Sequence, residues 1–164
     1  METKLEYVLT HSHKAEMISY MNSHPEFYDE AIHLAIADKQ PYSWRAAWLL
    51  WSCIEQNDPR VQNHIQRILD NISNKPDGHQ RELIKILLEM DLNEEQEGYL
   101  YDLCVSLWKQ TEKKPSVRFT AFKYIRKIAH KYPELNNELV LLAQEKYLES
   151  LSPTAKKSIL KLLN

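Results

Sequence analysis

The chain has 164 residues, of which 43% are hydrophobic and 27% charged, and its formal net charge is −2. That length allows one domain with a real core, and the near-neutral balance gives no overall bias toward nucleic acid or a membrane surface. Only two glycines occur, too few for the turns of a sheet protein or for a phosphate-cradling loop, and leucine outnumbers valine roughly four to one, so the composition predicts an all-α chain.

In chain order, Thr3-x-x-Glu6 can cap a short first helix, and a second runs from about Ser12 to Asn22. The start, Met1 to Glu6, carries acids and lacks the apolar core of a signal peptide, and no apolar stretch approaches a membrane span. A cytoplasmic protein is expected. Pro25 opens a helix to about Asp38, and Ser43 caps Trp44 to Gln56. Asp58-Pro59 joins an N-cap to a proline at the first helical position, and that helix is predicted to continue to about Ser73 on the stripe Val61, Ile65, Ile68, Leu69 and Ile72.

Asp77-x-x-Gln80 and Asn93-x-x-Gln96 have the form of capping boxes, opening helices that end near Met90 and Gln110. Pro115 starts the next, where Val117, Ala121, Tyr124, Ile125, Ile128 and Tyr132 recur every three or four residues. Pro133 starts another, to about Ser150, and Ser152-Pro153 caps a last short helix. Short connections predict antiparallel neighbours, eight or nine helices in all.

The helices themselves repeat. Trp44-Arg45-Ala46-Ala47-Trp48-Leu49-Leu50 is echoed by Gln80-Arg81-Glu82-Leu83-Ile84-Lys85-Ile86, by Val117-Arg118-Phe119-Thr120-Ala121-Phe122, and more weakly by the segment from Ala155. The basic residue recurs at 45, 81, 118 and 156, spaced by 36, 37 and 38 residues, and a second helix begins 14 or 15 residues after each of the first three. This pattern, over about residues 25–164, resembles HEAT-like repeats. The resemblance implies a single domain over residues 1–164, a short α-solenoid of antiparallel helical hairpins, with residues 1–24 as an N-terminal helical cap. The regular aspartate–arginine pairing of standard HEAT units is absent here, since only Asp58 sits near the expected turn position.

Few residues suggest chemistry. His11, His13, His24 and His33 lack a metal-site frame and read as surface or capping histidines. Cys53 and Cys104 lie in apolar helical runs and read as buried free thiols. The acids Glu89, Asp91, Glu94, Glu95, Glu97 and Asp102 cluster around a helix start, which unsatisfied amides favour. No catalytic motif, cofactor or metal is expected.

Trp44, Trp48 and Trp51 fall on one helical face, and core packing is the favoured assignment because the rest of that helix is apolar too. Arg45, Arg81 and Arg118 read as struts between repeats. The feature leaning toward function is a run from Lys109 to Lys131 with eight basic residues against Glu112. Within it, Lys113, Lys114, Lys123, Arg126, Lys127 and Lys131 form a candidate docking ridge for a protein with an acidic surface. The expected function is a non-catalytic protein–protein interaction or scaffold module. The alternative is nucleic-acid binding, including a relationship to alkylpurine DNA glycosylases, which also use HEAT-like repeats but are longer and more basic.

Overall fold

A computed structural model describes residues 1–164. It is 74% helical and contains no strand. There are twelve α-helices, nine of them with seven or more residues. Their contacts gather into two compact units, residues 1–92 and 93–164.

The first unit opens with α1 (Lys4–His11) and α2 (Lys14–Ser23). Thr3 and Glu6 close the expected capping box, each satisfying the other's backbone N–H. A 3-10 turn at Pro25–Phe27 leads into α3 (Tyr28–Ile36), followed by α4 (Tyr42–Cys53), α5 (Pro59–Gln62), α6 (Ile65–Asp70) and α7 (Asp77–Leu88). Helix α4 is the hub: α3 and α7 pack on it most extensively, and α1 and α2 also touch it. Its Ala46, Ala47, Leu49 and Leu50 are buried, and the two alanines keep the packed surface shallow, so that neighbouring helices can approach closely.

Polar anchors fix the loops of this unit. Asn57, at φ 53°, occupies the left-handed region that asparagine tolerates better than most residues. That turn lets its N–H reach the Glu89 carbonyl at 2.8 Å, while its side chain exchanges bonds with Asp91. Asp58 caps α5 by accepting from the Arg60 N–H at 3.0 Å, and the Arg60 guanidinium lies 3.7 Å over the Tyr28 ring.

The second unit contains α8 (Glu94–Lys109), α9 (Pro115–Lys131), α10 (Asn136–Leu142), α11 (Glu145–Leu148) and α12 (Pro153–Leu162), with a 3-10 turn at Pro133–Leu135. Helices α8 and α9 form its main pair, and α9 also packs against α10 and α12. The α9 stripe Val117, Ala121, Tyr124, Ile125 and Ile128 is buried as its period requires. Trp108 is fully buried and donates from Nε1 to the Leu142 carbonyl at 2.7 Å.

Two helices expected to be continuous are broken. The segment from Pro59 divides at Asn63 and His64, where the His64 N–H turns to the Val61 carbonyl at 2.8 Å. The segment from Pro133 divides at Ala143 and Gln144. There the cause is geometric: Leu142 and Leu148, six residues apart, would lie about 120° apart around a straight helix. Both are buried, and the break turns Leu148 and Leu151 back to the core.

Candidate interaction site

The first unit contains a groove of about 750 Å³ between α1, α2, α4 and α7. Trp44, Arg45 and Trp48 come from α4, while α7 supplies Arg81, Glu82 and Lys85. Lys14 and Met17 project from α2.

The cations are positioned by specific contacts. Arg45 donates from Nη1 to the Leu9 carbonyl at 2.9 Å, in the last turn of α1, where carbonyls lack intrahelical partners. The positive head therefore also meets the negative end of that helix. Lys14 Nζ stands 5.5 Å from the Trp48 ring centroid, and Lys85 Nζ stands 3.6 Å from that of Trp51.

One carboxylate lies among them. Glu82 is buried, and its Oε1 accepts from Arg81 Nε at 3.0 Å and pairs with Arg81 Nη2 at 2.9 Å. Its Oε2 has Lys85 Nζ at 3.2 Å but no aligned hydrogen bond. With Lys14 and Arg45 added, four cationic side chains face one carboxylate across an aromatic floor. Such a surface attracts carboxylates or phosphates and offers flat apolar area to whatever carries them.

The structure corrects the packing expected for the tryptophans. Trp44 and Trp51 are each 37% exposed and Trp48 is half-buried. Helix α4 has two apolar faces, and Ala46, Ala47, Leu49 and Leu50 take the buried one. Trp44 and Trp48 are left on the groove, and the Trp44 indole lies within 3.5 Å of where a Cβ on Gly78 would stand. The three repeat arginines also differ in environment. Arg118 is fully buried and bonded to Trp108, Ser150 and Tyr147, whereas Arg45 and Arg81 are partly exposed on the groove.

The basic residues of α9 divide between internal and exposed roles. Arg126 donates from Nε to the Leu162 carbonyl at 3.0 Å, and Lys131 binds both oxygens of Glu97 at 3.0 and 2.8 Å. Lys123 is exposed, 5.6 Å over the Phe119 ring, and Lys114 and Lys127 are exposed while Lys113 is half-buried. Sequence reasoning missed Lys14, Glu82 and Lys85. The available signal was the Arg81-Glu82 pair followed by Lys85 on the same helix turn.

The histidines and thiols have local roles. His11 stacks on Tyr7 with ring centroids 4.0 Å apart, and His24 contacts Glu26 at 3.0 Å. Cys104 is fully buried, which pushes its thiol well above the ordinary range, and Cys53 is half-buried.

Residues 1–163 match the HEAT repeat domain family. The chain belongs to that family. As a HEAT repeat protein it falls in a class whose general role is protein-interaction scaffolding. The match also takes in α1 and α2, which lie before the residues whose repetition is visible in the sequence. No curated protein and no solved structure matches the chain. None of its helices is long and apolar enough to cross a membrane.

Proposed function

We propose that this HEAT repeat protein is a non-catalytic interaction module whose first unit binds an acidic segment of a partner protein in the tryptophan–arginine groove. One observation carries the reading: Lys14, Arg45, Arg81 and Lys85 surround an aromatic concavity that holds only Glu82 in opposition. An acidic segment with a large apolar side chain complements both features, the carboxylates facing Lys14 and Arg45 and the apolar group lying on Trp44 and Trp48. The exposed lysines of α9 in the second unit offer a further surface for acidic partners and speed encounter rather than hold the complex.

A second reading, single-stranded nucleic acid, draws on the same interleaving of cations and tryptophans, because bases stack on indoles while phosphates meet lysine and arginine. One experiment separates the two. Tryptophan fluorescence is followed as the protein is titrated with an array of acidic peptides, each carrying one Leu, Ile or Phe, and with a short oligothymidylate. The protein reading expects saturable quenching by a subset of peptides, weakened roughly tenfold or more by Lys14→Glu and by Arg45→Gln. Binding of the oligonucleotide alone, with steep salt dependence, replaces it with the second reading. Peptide binding indifferent to both substitutions removes the groove from the proposal.

A further inference from the structure

The groove of the first unit takes, on the reading above, an acidic segment with a large apolar side chain, and the chain itself carries such a segment. Helix α10 leaves two adjacent apolar side chains in solvent: Val140 is 65% exposed and Leu141 56%. Its contact with the core of the second unit is made instead by Leu139 and Leu142, which are buried. Val140 and Leu141 therefore contribute nothing to that core, and association is what can remove their area from water.

Charge accompanies this apolar pair. Glu138 precedes Leu141 by three residues, so the two share a helical face, and Glu134 lies one turn earlier in the 3-10 segment Pro133–Leu135. Glu134 is exposed and Glu138 half-buried. The cations nearest in sequence are engaged elsewhere: Lys131 on Glu97, Lys146 over the Tyr147 ring, and Lys156 on Glu145. The groove offers the opposite set. Arg45 is tied to the Leu9 carbonyl rather than to a carboxylate, and Lys14 stands over the Trp48 ring. Trp44, Trp48 and Met17 line the space beside them. The exposed lysines of α9 could also meet acids, but the Phe119 ring beside them is already covered by Lys123, which leaves a leucine no comparable seat.

We propose that the groove of one copy receives the α10 face of a second copy of this chain, with Glu134 and Glu138 meeting Lys14 and Arg45 and Leu141 lying on Trp44 and Trp48. This occupant rests on the acidic-segment reading of the groove and names the segment. The charges match in sign, and the leucine is the anchor that fills the aromatic concavity. Because the two surfaces are different, the contact is heterologous and continues from copy to copy unless a ring closes. Its ion pairs lie near solvent, so it is weak, forms as concentration rises, and loosens with salt.

The test is sedimentation velocity of the full chain over a range of concentrations, at low and moderate salt. The parent's sedimentation coefficient is expected to rise with concentration, and less so in salt. A groove variant (Lys14→Gln with Arg45→Gln) and a face variant (Glu134→Gln, Glu138→Gln and Leu141→Ser), both helical by circular dichroism, should each associate at least roughly tenfold more weakly. Mixing the two is the decisive measurement. The face variant keeps an intact groove and the groove variant an intact face, so the mixture should form a one-to-one dimer that does not grow. Lys123→Gln with Lys127→Gln should associate as the parent does; loss of association there moves the contact to α9 and overturns the proposal. Association that persists in both variants, or that mixing fails to restore, points to another interface and also overturns it. A parent that stays monomeric at every concentration while its groove binds acidic peptides removes the second copy as occupant and leaves the groove reading standing. A monomer that binds no acidic peptide removes both.

Discussion

The Arg118 guanidinium lies 4.4 Å over the Trp108 ring and donates from Nε to the Trp108 carbonyl at 2.9 Å. Its other ends reach the Tyr147 carbonyl at 2.6 Å and the Ser150 hydroxyl at 3.1 Å. The planar head thereby joins the end of α8 to the residues around α11, using main-chain acceptors that the helix breaks leave open. Burial presses its pKa below the ordinary arginine value, yet the group remains charged at any physiological pH.

Replacing Arg118 is therefore expected to cost more than a surface arginine would. Arg118→Ala leaves the buried Trp108 carbonyl and the partly buried Tyr147 carbonyl without donors and empties a packed site, a loss of about 3 kcal/mol. Arg118→Lys cannot span all three acceptors and should recover less than half of that loss. Urea unfolding of the three proteins measures this directly, and an alanine variant with an unchanged midpoint would show that the network contributes nothing net.

The tryptophans should divide by environment. Trp108 is fully buried against Phe122, with ring centroids 4.7 Å apart, so Trp108→Ala should destabilise by about 3–5 kcal/mol. Trp51 is 37% exposed and its ring serves mainly as a seat for Lys85. Trp51→Ala should cost only about 1 kcal/mol, the size of an exposed cation–π contact plus partial burial. Equal losses in thermal melts of the two variants would contradict this division.

The elements were legible where a local rule fixed them. Thr3 with Glu6 and Asn93 with Gln96 form their capping boxes, and Asp58-Pro59 and Ser152-Pro153 open helices as their chemistry dictates. The box expected at Asp77 and Gln80 does not form. Helix α7 begins one residue earlier, at Asp77 after Pro76, and Gln80 is buried, donating to the Ile72 carbonyl at 3.1 Å. The groove was hidden for another reason. Periodicity tells which residues share a face, and α4 has two faces that are both apolar; only the packing of α3 and α7 decides which one is covered. The arginine period was visible, but the partners of Arg45 and Arg118, Leu9 and Tyr147, lie 36 and 29 residues away in sequence.

His79 should make stability depend on mildly acidic pH. Its ring is buried, with Nε2 donating to the Ala35 carbonyl at 2.6 Å and Nδ1 accepting from the Gln40 amide at 3.1 Å. Burial lowers its pKa below the ordinary 6.5, and the Ala35 carbonyl offsets this only in part. The unfolded chain then takes up the proton first as pH falls. Stability from this group is complete above pH 6.5, falls below it, and levels off beneath the folded pKa. Urea midpoints measured across this range for the parent and for His79→Asn should differ in slope, the variant being flatter. Parallel profiles would assign the pH dependence to other groups.

The Asp58–Arg60 pair should act at lower pH. Asp58 is 1% exposed, and its Oδ2 meets Arg60 Nη2 at 2.6 Å while also accepting from the Glu55 N–H at 3.1 Å. The Arg60 guanidinium is the main reason its pKa lies at about 2 rather than 3.8; burial opposes the shift and the Glu55 and Arg60 amides reinforce it. A depressed carboxylate stabilises the fold above its unfolded pKa and loses that contribution as pH falls through the folded value. The window is therefore pH 3.8 down to about 2, and the shift corresponds to about 2 kcal/mol. Asp58→Asn keeps an acceptor for the helix cap and removes the charge that holds Arg60 over Tyr28. At neutral pH the variant should be less stable than the parent by about that amount, and the gap should close as both are acidified toward pH 2. A gap that stays constant from neutral to acid would mean that the asparagine is lost as a cap or in packing, and that the ion pair contributes no net stability.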